Sequence, residues 1–330
     1  MKKNLLLTSF ILSLPFWWGL NISVEKLENF CYLKEMSNNS KLFTANLESK
    51  ITDEKIFQLK LKREKIEKLK ELNINAKSVL LIKVDKEGKE KVFYEKNSNE
   101  LLPIASLTKL MTALVVFDLK ETYDLLKPIK ITKEAVFQED SLKGGNYLKA
   151  GDELLIKDLI YSMLIESNND AAFALTDLIG KEAFVDLMNF YAKDLELKNT
   201  YFFNPTGLEP DNLNGRELIN VSTAQDLVKI SRYIMENYPQ IFEITTLKSY
   251  KILKPDGSFY HVVSQNTNKL LEEFPEKIIG GKTGKEKRAE ECLLLIFKDP
   301  EEEGYFISVI LGSTDRFSDM KKILEVLLTN

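Results

Sequence analysis

Ala105-Ser106-Leu107-Thr108-Lys109-Leu110-Met111-Thr112-Ala113-Leu114 begins just after Pro103, and its reading decides the fold. The run lacks a helix breaker and follows a proline, a combination that predicts a helix start. Residues i and i+3 of a helix share a face, so the Lys109 amine comes within reach of the Ser106 hydroxyl. Ser106 also falls near the helix N-terminus, where free backbone N–H groups and the dipole favour a developing negative charge. Taken alone, the pair more commonly means a capping serine and a surface lysine.

Two further motifs change that balance. Ser167-Asn168-Asn169 lies between helical patterns, with Leu155-Ile156, Leu159-Ile160 and Met163-Leu164 before it and Ala171, Leu175 and Leu178 after it. It is expected on a short loop pointing into a cleft. Ser167 there can relay a proton between a lysine and a departing amine, and Asn169 can hydrogen-bond a substrate amide. A helix cap is the plainer reading, and both can hold at once. Lys282-Thr283-Gly284 follows the strand-like Lys277-Ile278-Ile279 and the pair Gly280-Gly281. Glycines there admit a ligand backbone close to the strand, and a peptide can add to the edge as an extra strand. Lys282 and Thr283 would then bind a terminal carboxylate.

A serine hydroxyl is a weak nucleophile and needs a base. A lysine with its ordinary pKa of about 10.4 is protonated at neutral pH. Burial and a second cation both lower that value, and Lys282 is a candidate for the second cation beside Lys109. The only histidine, His261, sits in the strand-like Phe259-Tyr260-His261-Val262-Val263, with no Gly-x-Ser-x-Gly elbow to accompany it, so a Ser-His-Asp triad is not expected.

Around these motifs the pattern is α/β. Val79-Leu80-Leu81-Ile82-Lys83-Val84 and Val92-Phe93-Tyr94 flank Asp85-Lys86-Glu87-Gly88 and predict a hairpin. Helical patterns fill the middle, and strands return at Lys277-Ile278-Ile279, 292–297 and 305–311. A last amphipathic helix is marked by Phe317, Met320, Ile323, Leu324 and Leu327. Two strands first and three last predict one mixed sheet with edges far apart in sequence.

The chain of 330 residues, 44% hydrophobic, can bury a sizeable core. A formal net charge of -4, with basic residues scattered among acids, disfavours nucleic-acid binding. Cys31 and Cys292 lie far apart, so no disulfide framework is indicated, and Cys292 reads as a small buried hydrophobe. No Cys/His cluster suits zinc, and neither a metal nor a cofactor is expected. Lys2-Lys3 precedes an uncharged stretch, Asn4 to Val24, near the ~20 residues that span a bilayer. Residues 1–24 are therefore expected as a membrane segment, an uncleaved anchor or a cleaved signal, with the remainder outside the cytoplasm. Residues 25–73 read as a charged, partly helical tether, and 74–330 as the catalytic domain.

The chain resembles the low-molecular-weight penicillin-binding proteins, and among them the serine D-alanyl-D-alanine carboxypeptidases, peptidase family S11. The likeness runs from Ala76 to Leu328. Its blocks are 102–113 (LPIASLTKLMTA), 163–172 (MLIESNNDAA), 199–208 (NTYFFNPTGL) and 266–271 (NTNKLL). The resemblance implies a β-lactamase/transpeptidase-like fold, an antiparallel sheet covered by helices with a mostly helical insertion. It also implies acylation of Ser106 by a peptidoglycan stem peptide ending in D-Ala-D-Ala, release of D-alanine and hydrolysis of the acyl-enzyme, in cell-wall remodelling. Lys109 matches the general base, and Ser167, Asn169 and Lys282 the proton network. Backbone N–H groups of Ser106 and Lys285 match the oxyanion hole. Thr283, Gly284 and Arg316 match substrate-binding positions, and β-lactams are the implied covalent inhibitors.

The sequence departs from the family pattern after Gly284, with Lys285, Glu286 and Ala289-Glu290 where an aromatic or small residue, Thr and later Ala-Gly are usual. These charges are expected to alter substrate preference. No second β-rich domain or C-terminal amphipathic anchor is expected, which leaves anchoring to the N-terminal segment. A D,D-endopeptidase would share every residue named. A β-lactamase would need an added carboxylate, for which Glu166 and Glu209 are the candidates. A degenerate, non-catalytic peptidoglycan-binding module is the remaining alternative.

Overall fold

The structure, a computed structural model, describes residues 40–138, 147–209, 218–301 and 303–328. The chain divides into two compact units, Met1–Glu64 and Lys65–Asn330. Helix α1 (Ser40–Lys70) is the described part of the first and lends its last turns to the second. Among the described residues no helix is long and apolar enough to cross a membrane. The expected membrane segment 1–24 lies outside them.

The second unit is built on five strands: β1 (Ser78–Asp85), β2 (Glu90–Lys96), β3 (Ile278–Glu286), β4 (Glu290–Lys298) and β5 (Gly304–Ser313). Their order is β2-β1-β5-β4-β3, so the two edges are far apart in sequence, as the strand pattern predicts. Every ladder in this sheet is antiparallel, which corrects the expected mixed sheet. The physical reason lies in the burial. Unbroken apolar runs such as Leu293 to Phe297 resemble strands of a parallel sheet because both faces are covered. Here the alternation splits each run between two cores: Val79, Leu81, Leu293 and Leu295 enter one, and Leu80, Ile82, Leu294 and Ile296 the other.

One face is covered by α8 (Arg316–Leu328), whose Met320, Ile323, Leu324 and Leu327 are buried at helical spacing. Full burial of one such side chain contributes roughly 1.5–3 kcal/mol. Leu69 and Leu72, within the stretch read from sequence as a tether, join this same core. The other face carries the helical insertion: α2 (Lys109–Asp118), α3 (Ile156–Ile165), α4 (Asn169–Ala174), α5 (Lys181–Asp194), α6 (Ala224–Asn237) and α7 (Gln240–Thr245). Strand β3 packs against α7, and Gly280 is what permits it. A Cβ at Gly280 would lie 2.4 Å from the Phe242 side chain.

Asp319, in the first turn of α8 and fully buried, ties the sheet to that helix. Its carboxylate accepts the N–H of Asn75 (3.1 Å), the N–H of Ala76 (3.0 Å) and the Ser313 hydroxyl (2.7 Å). It thereby joins the chain just before β1 to the end of β5. Each buried donor left unsatisfied costs about 1–3 kcal/mol. Asp319→Ala is therefore expected to lower unfolding stability by roughly 3 kcal/mol or more, and Asp319→Asn by distinctly less. Urea denaturation measures both, and a loss below about 1 kcal/mol for the alanine variant would remove this carboxylate from its assigned role.

Candidate active site

The turn that carries Ser106 is short and strained. Leu102–Pro103 pairs with Val221–Ser222, the chain then tightens into a 3-10 turn over Ala105–Thr108, and α2 follows directly at Lys109. Ala105 has φ 45° and Ser167 φ 68°, left-handed values seldom adopted by residues with a side chain. Each such residue costs on the order of 1–3 kcal/mol and persists only where its surroundings hold it.

Two glycines supply part of that hold. A Cβ at Gly207 would lie 1.9 Å from the Ala105 carbonyl oxygen. One at Gly284 would lie 3.1 Å from the Ser106 nitrogen. The strand alternation of β3 turns Gly280, Lys282 and Gly284 to the helical face, opposite Ile296, Leu294 and Cys292 in the register. Lys282 is thereby aimed at Ser167, while Gly284 lets the strand press on the Ala105–Ser106 turn.

Lys109 is fully buried. Its Nζ lies 2.8 Å from Ser106 Oγ, 2.6 Å from Asn169 Oδ1 and 2.7 Å from the Thr206 carbonyl oxygen. Lys282, 1% exposed, donates to Ser167 Oγ at 2.8 Å and to the Thr283 carbonyl at 3.0 Å. Burial pushes the Lys282 ammonium well below its ordinary pKa, and the positive charges of Lys109 and Arg316 add to the effect. The sequence suggests Lys282 as the cation that perturbs Lys109. The repulsion between two buried ammonium groups is mutual, and it lowers the Lys282 pKa.

Asn168 begins α4 as its cap, its Oδ1 accepting the Ala171 N–H at 2.9 Å, so the capping reading holds beside the contact of Ser167 with Lys282. Thr283 Oγ1 donates to Thr267 Oγ1 at 2.6 Å. Arg316 Nη1 donates to the Gly284 carbonyl at 2.7 Å, its guanidinium stands 4.8 Å over the Phe317 ring, and its Nε is buried with no partner among the described residues. The Lys285 ammonium pairs with Glu291 across the β3–β4 ladder at 2.8 Å, and Glu291 also accepts the Arg316 N–H at 3.2 Å. Glu166, Thr267, Lys285, Glu291, Arg316 and Phe317 line a cleft of roughly 1420 Å³. Lys109 gathers Ser106 and Asn169 while Lys282 holds Ser167, and the two lysines are close enough for their charges to interact. Thr283, Gly284, Lys285 and Arg316 follow along the strand and its flank.

Both carboxylates considered for water activation are engaged. The Glu209 oxygens accept the N–H groups of Arg288 (2.8 and 3.0 Å) and Ala289 (2.8 Å). Glu166 accepts from Ser162 and Asn168. Glu290, where the resembled pattern has glycine, adopts φ 55° and reaches Lys77 at 2.9 Å. His261 stacks on Tyr147 with ring centroids 3.6 Å apart and takes no part in the Ser106 cluster. Cys292 is buried, and burial lifts its thiol to about 11. Among the described residues no group of three or more His, Cys, Asp or Glu gathers to hold a metal.

Sequence reasoning gave no role to Thr206, which acts through its backbone oxygen, or to Asn220. The Asn220 side chain accepts the Phe203 N–H at 2.7 Å and donates to the Asn204 carbonyl at 2.8 Å and to Thr108 Oγ1 at 2.9 Å. The glycine-containing loop Asn204-Pro205-Thr206-Gly207 was the available signal for the first of these.

The chain is 34% identical over 263 residues to D-alanyl-D-alanine carboxypeptidase DacF of Bacillus subtilis, a match covering 77% of this chain and 62% of that protein. It is 34% identical over 210 residues to the D-alanyl-D-alanine endopeptidase of Pseudomonas aeruginosa, covering 62% of each. The chain thus spans less than two thirds of the length of these curated relatives. Among solved structures, penicillin-binding protein D2 of Listeria monocytogenes in its cefotaxime-bound form superposes with a TM-score of 0.64 at 27% identity, over 78% of this chain and 99% of that one. The family described as D-alanyl-D-alanine carboxypeptidase, peptidase S11, matches residues 64–315, which include the whole lysine-serine cluster and stop one residue short of Arg316. With three quarters of its length inside that match, the chain belongs to the D-alanyl-D-alanine carboxypeptidase family.

Proposed function

We propose that this protein is a serine D-alanyl-D-alanine carboxypeptidase that trims the terminal D-alanine from peptidoglycan stem peptides. The observation that carries the reading is the position of Lys109 Nζ, 2.8 Å from Ser106 Oγ and held by Asn169 and Thr206. Repulsion favours a single proton shared between the two lysines. When it sits on Lys282, the neutral Lys109 amine can give its two N–H groups to Asn169 Oδ1 and the Thr206 carbonyl, which leaves its lone pair for the Ser106 proton. Ser106 Oγ then bonds to the carbonyl carbon of the penultimate D-alanine, and its proton passes to Lys109. The oxyanion is received by the backbone N–H groups of Ser106 and Lys285. The C–N bond breaks, and the leaving amine takes a proton through Lys109 and Ser167. Water hydrolyses the ester and restores the Ser106 proton.

Asn169 orients the acyl donor, while Thr283, Gly284 and Arg316 receive the terminal carboxylate along the edge of β3. The place of Arg316 in the cleft lining, with Nη1 held on the Gly284 carbonyl, supports that assignment. β-Lactams are inhibitors in the same scheme, consistent with the cefotaxime-bound state of the Listeria protein. Occupation of Glu209 and Glu166 by other donors argues against a β-lactamase. The uncharged stretch after Lys2-Lys3 supports a membrane anchor with the catalytic unit on the outer side.

Full-length protein incubated with labelled penicillin is expected to gain one covalent adduct by intact mass. Ser106→Ala should abolish it, and an equal adduct on that variant would end the catalytic reading. A pentapeptide ending in D-Ala-D-Ala should release free D-alanine, whereas dominant cleavage of a cross-linked dimer would assign the endopeptidase activity named for the Pseudomonas relative.

The lowered Lys282 pKa sets a second expectation. Between that lowered value and the ordinary ~10.4, the unfolded chain holds a proton that the folded chain has released, so stability rises with pH. Below the lowered value both states are protonated and the burial penalty is complete. The melting temperature of the wild type minus that of Lys282→Met should therefore climb as pH is raised towards ~10.4. A flat difference would contradict the shift.

A further inference from the structure

Ser167 must hold a left-handed backbone, φ 68°, while presenting its hydroxyl to Lys282, and the neighbouring Asn169 must meet Lys109. Asn168 is the pivot between them. Its Oδ1 caps α4 on the Ala171 N–H, and its own N–H reaches back to the Ser162 carbonyl at 3.4 Å. That leaves the Asn168 amide Nδ2 to be oriented, and it donates to Glu166 Oε1 at 3.4 Å.

Glu166 is in turn fixed from below. The same oxygen accepts the Ser162 hydroxyl at 3.0 Å, and Ser162 accepts the Tyr147 phenol at 2.5 Å. Tyr147 is clamped by its stack on His261, and its carbonyl accepts the Tyr260 hydroxyl at 3.1 Å. A chain of hydrogen bonds thus runs from an aromatic stack through Tyr147, Ser162 and Glu166 into Asn168. Ser162 is fully buried and Asn168 nearly so, so losing one link would strand polar groups away from water.

We propose that Glu166 is a positioning residue that holds the strained Ser167-Asn168-Asn169 turn through the Asn168 amide, and so sets the places of both Ser167 and Asn169. It acts as a hydrogen-bond acceptor, and its charge is not required. The inference rests on the acyl-enzyme reading above.

The test measures acylation of Ser106 by a chromogenic or fluorescent penicillin and the lifetime of the acyl-enzyme. Glu166→Ala should slow acylation by roughly three- to tenfold, the scale of one lost hydrogen bond. Glu166→Gln keeps an acceptor oxygen in place and should recover most of the rate, with an unchanged acyl-enzyme lifetime. Asn168→Asp keeps the helix cap but sets two carboxylates against each other, and it should fall as far as Glu166→Ala. The double variant Glu166→Gln/Asn168→Asp, with donor and acceptor exchanged, should regain part of the activity, since the new amide nitrogen cannot accept the Ser162 hydroxyl as the carboxylate oxygen does. Wild-type rates in both Glu166→Ala and Asn168→Asp would overturn the proposal. So would a Glu166→Gln enzyme that acylates normally and then fails to deacylate, because it would make Glu166 a base for water. Failure of the wild type itself to acylate would instead remove the underlying enzymatic reading. Should Glu166→Ala fail to fold, the single and double Asn168 variants still decide the matter.

Discussion

Two lysine side chains, Lys109 and Lys282, are withdrawn from water within one cluster, and the site is organised around that constraint. A buried amine must either find oxygen acceptors or release its proton. Lys109 has found three oxygens, from the nucleophile, from the second motif and from a loop carbonyl. Lys282 has found two and is pushed towards neutrality. The mutual repulsion of the two ammonium groups makes it unfavourable for both to be charged at once. That property suits a site that must take a proton and give it back.

The fold meets this constraint largely by removing side chains. Gly207 and Gly284 bring a loop and a strand against the Ala105–Ser106 turn, and Gly280 seats the same strand on α7. Both ends of the cluster carry backbone strain, at Ala105 and Ser167, and each is braced by contacts from distant parts of the chain. The cost in local conformational energy is borne by the sheet and its two cores, which fix β3 in register with β4 from Ile278 to Glu286.

Local features were readable from the sequence to the extent that their physics is local. The three-residue spacing of Ser106 and Lys109 placed them on one helical face, and the final helix was visible in its buried stripe. Strand number and the distant sheet edges followed from where the apolar runs stand. Strand direction did not, because a run such as Leu293 to Phe297 looks the same in either orientation when both faces are covered. The meeting of Lys282 with Ser167, 115 residues away, came only through the family resemblance. Thr206 acts through a carbonyl that every residue possesses, so its side chain announces nothing. The brace at Glu166 was hidden for a related reason. A glutamate beside a catalytic serine reads first as a chemical group and only the hydrogen-bond map shows what it supports.

Strand β3 ends the sheet, and under the proposed function its outer rim is the edge to which a substrate peptide would add. An available rim is also a template on which the strand of another molecule can pair, which is how folded proteins begin to aggregate. In this chain the strand leaves the cleft through Lys285-Glu286-Lys287-Arg288, a dense run of mixed charge just where a pairing strand would need to extend. Charge at the end of an edge strand disfavours pairing with a long neighbouring strand, so this run is placed where a gatekeeper against edge-to-edge association would stand.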